Sequence, residues 1–151
     1  MSVTEHTLVI NKPIDYVFRN VSCMRGCVNW ITSIVSAEKL GDEPVHVGTQ
    51  YKETYKFMGV TGESVITVQT YDPPYAFAFE DTAFPFPLEF HYTFDEVAGG
   101  TRVNAKMVLM PRETGKMDPA VVTASAAKLF DHDLSNLKAM LEADVEVRAM
   151  D

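Results

Sequence analysis

A succession of alternating segments separated only by short turns constrains the fold of this 151-residue chain more than any other feature. The breaks between the segments are GDEP, MGVTG, DPP, FPFP and AGG, which are rich in turn-forming Gly, Pro and Asp. No break is long enough for the helix of a parallel crossover, so the pattern predicts an antiparallel meander. The predicted strands of this meander span residues 33–40, 48–57, 62–71, 75–82, 88–97 and 101–110.

Helical segments lie on both sides of the meander. Residues 3–10 are predicted to form a first strand, and NKPIDYVFRNV follows, with Pro13 suited to the first turn of a helix. A second short helical segment covers residues 26–31. After the meander, Asp118 is a predicted N-cap and Pro119 the first position of one long helix. Its apolar residues share a spacing that fits one helix face packed on a sheet. They are Phe130, Leu134, Leu137 and Leu141.

The amino-acid composition indicates which classes of protein this chain can belong to. A chain with 46% hydrophobic and 23% charged residues fits one folded domain, predicted to span residues 1–151. The formal net charge of -8 and the scattered basic residues argue against nucleic acid and anionic membranes as partners. MSVTEHTLVI lacks the features of a signal peptide, and no stretch has the length of a membrane-spanning helix. A cytoplasmic protein without stable membrane insertion is therefore expected.

The two cysteines do not form a metal-binding pattern. Cys23 and Cys27 are four residues apart with no second ligand pair nearby, which predicts reduced, partly buried thiols and no zinc site. The sequence has no Gly-rich phosphate loop, nucleophile elbow or metal-binding spacing. Neither a metal nor a cofactor is expected.

The order of elements and several local motifs carry a resemblance to a known family. The motifs concerned are LVINKPIDYVF, Trp30 after the short helices, YDPPYAFAFE with its Asp-Pro-Pro hairpin, GGTRV and LSNLKAMLE. Over residues 3–143 the sequence resembles the START-like superfamily, also described as the polyketide cyclase/dehydrase and lipid transport family, which includes plant allergens of the pathogenesis-related class. The resemblance implies the α+β helix-grip fold, in which a curved seven-stranded antiparallel sheet wraps round the long helix and two short helices separate strands one and two. It also implies a cavity for a hydrophobic ligand, without universal catalytic residues.

Alternation assigns the faces of the strands. In YKETYKF the odd positions face inward and both lysines face outward, while Asp81 faces inward near the end of its strand. On the long helix, the small side chains of AVVTASAAK face the sheet and leave room for a ligand. The predicted ligand-binding residues are Tyr51, Tyr55, Phe57, Phe77, Phe79, Asp81, Phe90, Tyr92, Phe94, Met107, Ala126 and Phe130.

Glu53 is the polar residue that interrupts this aromatic face. Because an unpaired buried carboxylate is costly, it is expected to have a partner or to hold a proton. The candidate partners are Tyr51, Tyr55, Asp81 and His6. Glu53 and His6 are the candidate catalytic residues, as groups that could move a proton. The structural alternatives are a hydrated rim position for Glu53 and an exposed or capping position for His6.

Two other polar features are expected on the surface. The DHD motif at residues 131–133 lies mainly off the stripe that begins at Phe130, which favours a solvated helix face. His91 falls on the outward register of its strand.

Three functions remain open at this point. The first is binding or transport of a small hydrophobic or aromatic molecule by a monomer or homodimer. The second is a cofactor-independent enzyme of the cyclase, aromatase or dehydratase kind, in which Glu53 or His6 moves protons and Tyr92 or Tyr55 stabilises an enolate. The third is a co-chaperone-like interaction module, which would need a large exposed apolar patch and is disfavoured by mostly polar outer strand faces.

Overall fold

A computed structural model describes residues 1–83, 86–110 and 117–144 of the chain. The described strands and helices are, in chain order, β1 (Ser2–Ile10), α1 (Ile14–Ser22), a 3-10 helix (Met24–Asn29), β2 (Ile34–Leu40), β3 (Gln50–Phe57), β4 (Val60–Asp72), β5 (Ala76–Asp81), β6 (Leu88–Val97), β7 (Gly100–Leu109) and α2 (Pro119–Glu142). Parts of the FPFP break and of the segment before α2, together with residues 145–151, lie outside the described residues.

The strands form one antiparallel sheet with the order β1-β7-β6-β5-β4-β3-β2. Strands β2 to β7 are a meander, and β1 pairs with β7, so that Ser2 lies opposite Leu109 and Ile10 opposite Thr101. Register shifts occur in β2 between Ile34 and Ser36 and in β4 between Val68 and Thr70. Such irregularities bend a strand and increase its twist. The sheet, the short helices after β1 and the long C-terminal helix confirm the predicted helix-grip fold.

The long helix begins where the sequence predicts. The Asp118 carboxylate accepts a hydrogen bond from the backbone N–H of Ala120 at 2.9 Å, and Pro119 occupies the first helical position. The predicted stripe is buried, since Phe130, Leu134, Leu137 and Leu141 are each no more than 5% exposed. The second short helix was placed less well: it is a 3-10 helix that begins two residues before the predicted 26–31, because this apolar segment has no helical periodicity to fix its start.

The inner face of the sheet is covered by two different helices. Near one end α1 packs on the sheet, and the Phe18 ring meets the Phe94 ring edge-on at a centroid distance of 5.4 Å. Towards the other end the stripe of α2 covers the sheet, where Phe130 contacts Phe90 at 5.6 Å. Within the described residues, neither helix is both long and apolar enough to cross a membrane.

Candidate functional site

A partly open cavity of about 70 Å³ lies between the sheet and α2. Its walls come from the segment after the 3-10 helix, from β3, β5, β6 and β7, and from the middle of α2. The lining residues are Trp30, Ile31, Ser33, Ile34, Glu53, Phe57, Phe79, Asp81, Leu88, Phe90, Tyr92, Met107, Ala126, Leu129, Phe130 and Asp133. Most are apolar or aromatic, but three carboxyl groups from three different elements reach the same space.

Aromatic rings occupy most of the room between sheet and helix. Phe79 and Phe90 stack with centroids 5.1 Å apart, and Tyr92 lies nearly parallel to Phe90 at 6.4 Å. Phe130 of α2 reaches the same cluster from the opposite side. The cavity is therefore much smaller than the roughly 300 to 1,000 Å³ of pockets for drug-sized ligands.

Glu53 is buried in the middle of β3 and only 4% exposed. The Cys27 thiol donates to its Oε2 across 3.8 Å. Burial raises the pKa of Glu53 to about 8, and the negative charge of Asp81 adds to the rise, whereas the Cys27 thiol opposes it. The side chain thus keeps its proton at neutral pH. It does not occupy the hydrated rim position that the sequence left open.

Asp81 is satisfied by donors from its own neighbourhood. The Ser64 hydroxyl donates to Oδ2 at 2.8 Å, and the backbone N–H of Ala83 donates to Oδ1 at 2.9 Å. Hydrogen bonds of this kind stabilise a carboxylate that has left water. The negative charge of Asp81 favours the protonated form of Glu53.

Asp133 was expected on a solvated helix face, and this prediction is wrong. Its side chain is 6% exposed, and its Oδ1 accepts hydrogen bonds from the backbone N–H and the hydroxyl of Thr32 at 3.1 and 3.0 Å. Burial raises its pKa, and the two bonds from Thr32 partly oppose this. The spacing contained the signal, because Asp133 lies three residues after Phe130 and therefore shares its helix face. Its neighbours Asp131 and His132 are exposed as predicted.

Trp30 lines the cavity and carries a buried side-chain donor without a partner. The side chain is 4% exposed, and its Nε1 is the one buried side-chain polar atom without a hydrogen-bond partner in the part of the chain that the structure describes. The backbone holds the residue in place, since its N–H donates to the Cys27 carbonyl and its carbonyl accepts from Asn136 Nδ2 at 3.4 Å. The sequence identified Trp30 only through the resemblance and did not include it in the site.

Tyr92 is buried among acidic groups. Burial raises the pKa of its phenol, and nearby Cys27, Asp133 and Glu53 raise it further. The phenol therefore stays neutral, which makes Tyr92 a possible hydrogen-bond donor and not a base.

The structure brings most, but not all, of the predicted site residues into the cavity. Those that line it are Glu53, Phe57, Phe79, Asp81, Phe90, Tyr92, Met107, Ala126 and Phe130. Tyr51, Phe77 and Phe94 face inward but belong to the packed core, and Tyr55 packs in a second cluster with Phe57 and Leu88. The difference follows from packing, because Phe94 is covered by Phe18 of α1 and the Phe77 ring packs against those of Tyr71 and Phe79.

His6 lies outside the cavity. It sits on edge strand β1, where its ring packs against Phe130 at 5.5 Å and its Nδ1 lies 3.7 Å from an oxygen of Asp131. About a third of the side chain is exposed. His6 is therefore not among the residues that line the cavity with Glu53, and its recorded contacts are with Phe130 and Asp131. His91 lies on the outer face and bonds to Glu89 at 2.9 Å.

Neither cysteine forms a disulfide, and both are buried, more deeply than the sequence suggested. Across residues 1–83, 86–110 and 117–144, no group of three or more His, Cys, Asp or Glu side chains is arranged to hold a metal ion.

Comparisons with known proteins agree with the fold. A family model described as polyketide cyclase / dehydrase and lipid transport matches residues 1–142. Similar solved structures include TTHA0849 from Thermus thermophilus (17% identity, TM-score 0.77, covering 95% of this chain and 99% of that one). Ara h 8.0201 is similar at 13% identity and a TM-score of 0.72, and the match covers 94% of this chain and 98% of Ara h 8.0201. The di-domain ARO/CYC StfQ from the steffimycin biosynthetic pathway is similar at 11% identity and a TM-score of 0.74, and the match covers 51% of the StfQ chain. No curated protein matches the sequence.

Proposed function

We propose that this chain, which belongs to the polyketide cyclase/dehydrase and lipid transport family, binds a small aromatic molecule in the cavity between its sheet and α2. The observation that carries the proposal is the cavity itself: it is partly open, its walls are mainly apolar and aromatic, and a few buried polar groups reach into it. Apolar walls provide the affinity for such a ligand, and a few polar groups fix its orientation.

The volume limits the size of the ligand. An engineered apolar cavity of about 150 Å³ accepts benzene. A cavity of about 70 Å³ is smaller, so even a single-ring ligand must displace side chains when it enters. Leu129 and Ala126 of α2 line the cavity and are only partly buried. Displacing this part of the helix would therefore break fewer packing contacts than displacing the buried rings of the sheet.

A pair of alanine variants on α2 tests binding. Ala126→Leu extends a side chain that lines the cavity, whereas Ala124→Leu makes the same change at an exposed position of the same helix. Native mass spectrometry of freshly purified protein and saturation-transfer NMR with toluene and indole would measure bound species. We expect binding by the wild type and Ala124→Leu, and its loss in Ala126→Leu. No detectable binding at millimolar ligand by the wild type, or equal binding by both variants, would refute the proposal.

A second candidate function is proton transfer at a carbon next to a carbonyl group. The observation that favours it is a carboxyl group with a pKa of about 8 inside a cavity, since acid–base catalysis is most effective when the pKa lies near the working pH. Glu53 in its deprotonated form, which is the minority form at neutral pH and the main form above pH 8, would take the proton from carbon. The Tyr92 phenol would donate a hydrogen bond to the enolate oxygen, and Glu53 would return the proton.

Hydrogen exchange measures this activity without knowledge of the natural substrate. For acetophenone in D₂O, loss of the methyl proton signal reports abstraction at carbon. We expect exchange above the buffer rate for the wild type and a fall of at least about a hundredfold for Glu53→Gln. Exchange that is equal for both proteins would leave binding as the function of the cavity.

A further inference from the structure

We infer that the ligand is an uncharged aromatic compound with a hydroxyl group, whose oxygen accepts a hydrogen bond from Trp30 Nε1 and whose hydrogen is donated to the Glu53 carboxyl group. The inference rests on the proposed binding function and specifies the ligand class of the same cavity. It also predicts that the corresponding carboxylate compound is rejected and that the ammonium compound, which cannot accept from Trp30 Nε1, binds more weakly than the alcohol.

The first argument is the indole N–H of Trp30. A buried donor without an acceptor typically costs about 1 to 3 kcal/mol. Trp30 Nε1 is such a donor, and its residue is held from both sides by backbone hydrogen bonds to Cys27 and Asn136. A ligand oxygen in the adjoining cavity would provide the acceptor that the described part of the protein does not.

The second argument is the protonation of the carboxyl groups. Asp81 is satisfied by Ser64 and the backbone N–H of Ala83, and Asp133 by two donors of Thr32. Among the described residues, Glu53 has only the long contact from the Cys27 thiol, and it keeps its proton at neutral pH. Its neutral carboxyl group can accept from a ligand hydroxyl through one oxygen. A hydroxyl group, which both accepts and donates, is complementary to Trp30 and Glu53 together.

The third argument is the charge of the cavity lining, which excludes an anionic ligand. The residues described as lining the cavity include three acidic side chains and no Lys, Arg or His. An anion would lose its hydration without gaining a cationic partner and would meet the charges of Asp81 and Asp133. An ammonium group would be attracted by these acidic side chains, but it carries no lone pair and would leave Trp30 Nε1 without an acceptor.

Four ligands of one ring and similar size test the inference: benzyl alcohol, toluene, benzoate and benzylamine. The chain contains a single tryptophan, so the indole N–H gives one cross peak in a ¹H–¹⁵N spectrum that needs no further assignment. At pH 6.5 we expect benzyl alcohol to move this peak downfield and to bind about tenfold more tightly than toluene. Benzoate should show no saturable binding, and benzylamine should bind more weakly than benzyl alcohol and leave the indole peak in place.

Trp30→Phe removes the donor and keeps an aromatic ring. We expect it to bind benzyl alcohol no better than toluene, while Tyr75→Phe, which removes a hydroxyl from a ring that is 57% exposed, keeps the wild-type preference. If Trp30→Phe does not fold, the indole peak of the wild-type protein still shows whether benzyl alcohol binds to the Trp30 N–H.

Each contrary result is assigned to one of the two proposals. Benzyl alcohol binding that leaves the indole peak in place, toluene binding of equal strength, or tighter binding of benzoate or benzylamine would overturn the inference and leave the binding function intact. Failure of all four compounds to bind would overturn the binding function itself.

Discussion

Replacing Glu53 by Gln should change how the stability of the protein depends on pH. The folded protein holds the Glu53 proton up to a pKa of about 8, whereas an unfolded glutamate releases it near pH 4.5. Between these values the folded state binds one more proton than the unfolded state. The free energy of unfolding must therefore fall as pH rises through this window and be independent of Glu53 below and above it. Gln has no proton to lose, so the variant should lack this decline.

The magnitude follows from the size of the window. Each pH unit in it corresponds to about 1.4 kcal/mol, so the contribution of Glu53 declines by about 3 kcal/mol between pH 4.5 and 7 and by about 5 kcal/mol by pH 8. A domain has a free energy of unfolding of roughly 5 to 15 kcal/mol. The change is thus large enough to measure. Cys27, Asp81, Tyr92 and Asp133, the other titratable groups near Glu53, are the same in both proteins, so the difference between the proteins isolates Glu53.

Urea unfolding at pH 5, 6, 7 and 8 measures this difference. We expect the stability of Glu53→Gln relative to the wild type to increase by about 1.4 kcal/mol per pH unit up to pH 8. The control is Glu63→Gln, which changes an exposed glutamate on the neighbouring strand, paired with Lys52 at 2.9 Å, and should give no such slope. Parallel pH curves for the wild type and Glu53→Gln would refute the argument, since they would mean that Glu53 ionises equally in the folded and unfolded states.

Two further predictions concern the packing around the cavity. Asp133→Ala should lower the free energy of unfolding by about 1 to 3 kcal/mol, since it removes the acceptor of two hydrogen bonds from Thr32, while Asp131→Ala on the exposed face should change it little; urea unfolding at pH 7 compares them. Gly62→Ala should lower the melting temperature measured by circular dichroism, because a Cβ atom there would lie 2.5 Å from the hydroxyl oxygen of Tyr55 and force about 1 to 3 kcal/mol of strain; an unchanged melting temperature would contradict it.

The strand faces could be predicted because the period of a strand is fixed by backbone geometry. In β3, Tyr51, Glu53, Tyr55 and Phe57 are all buried, as the alternation required. The start of α2 was equally predictable, since an Asp-Pro pair fits the N-cap and first position of a helix. The 3-10 helix was placed less accurately because its sequence has neither the two-residue period of a strand nor the 3.6-residue period of an α-helix.

The division of the inner face into core and cavity could not be predicted by alternation. Phe94 and Phe90 lie on the same strand and the same face, yet Phe94 packs under Phe18 of α1 while Phe90 lines the cavity. Which ring remains accessible depends on where two helices cross the sheet, and no local pattern contains that information. The contact between Cys27 and Glu53 was unpredictable for the same reason, because it joins the 3-10 helix to β3 across 26 positions of the chain.

Two polar irregularities of the core converge on one cavity. The contribution of Glu53 to stability declines as pH rises towards 7, and Trp30 has a buried donor without an acceptor in the described part of the chain. A single apolar substitution at each position would remove the cost, and the hydrogen bonding of these two side chains within the described residues is limited to the long contact from the Cys27 thiol to Glu53. Exceptions to consistent packing are expected where a protein has a function to perform. Because the two groups come from different elements and are complementary to the two halves of one hydroxyl group, the ligand that we propose would account for both.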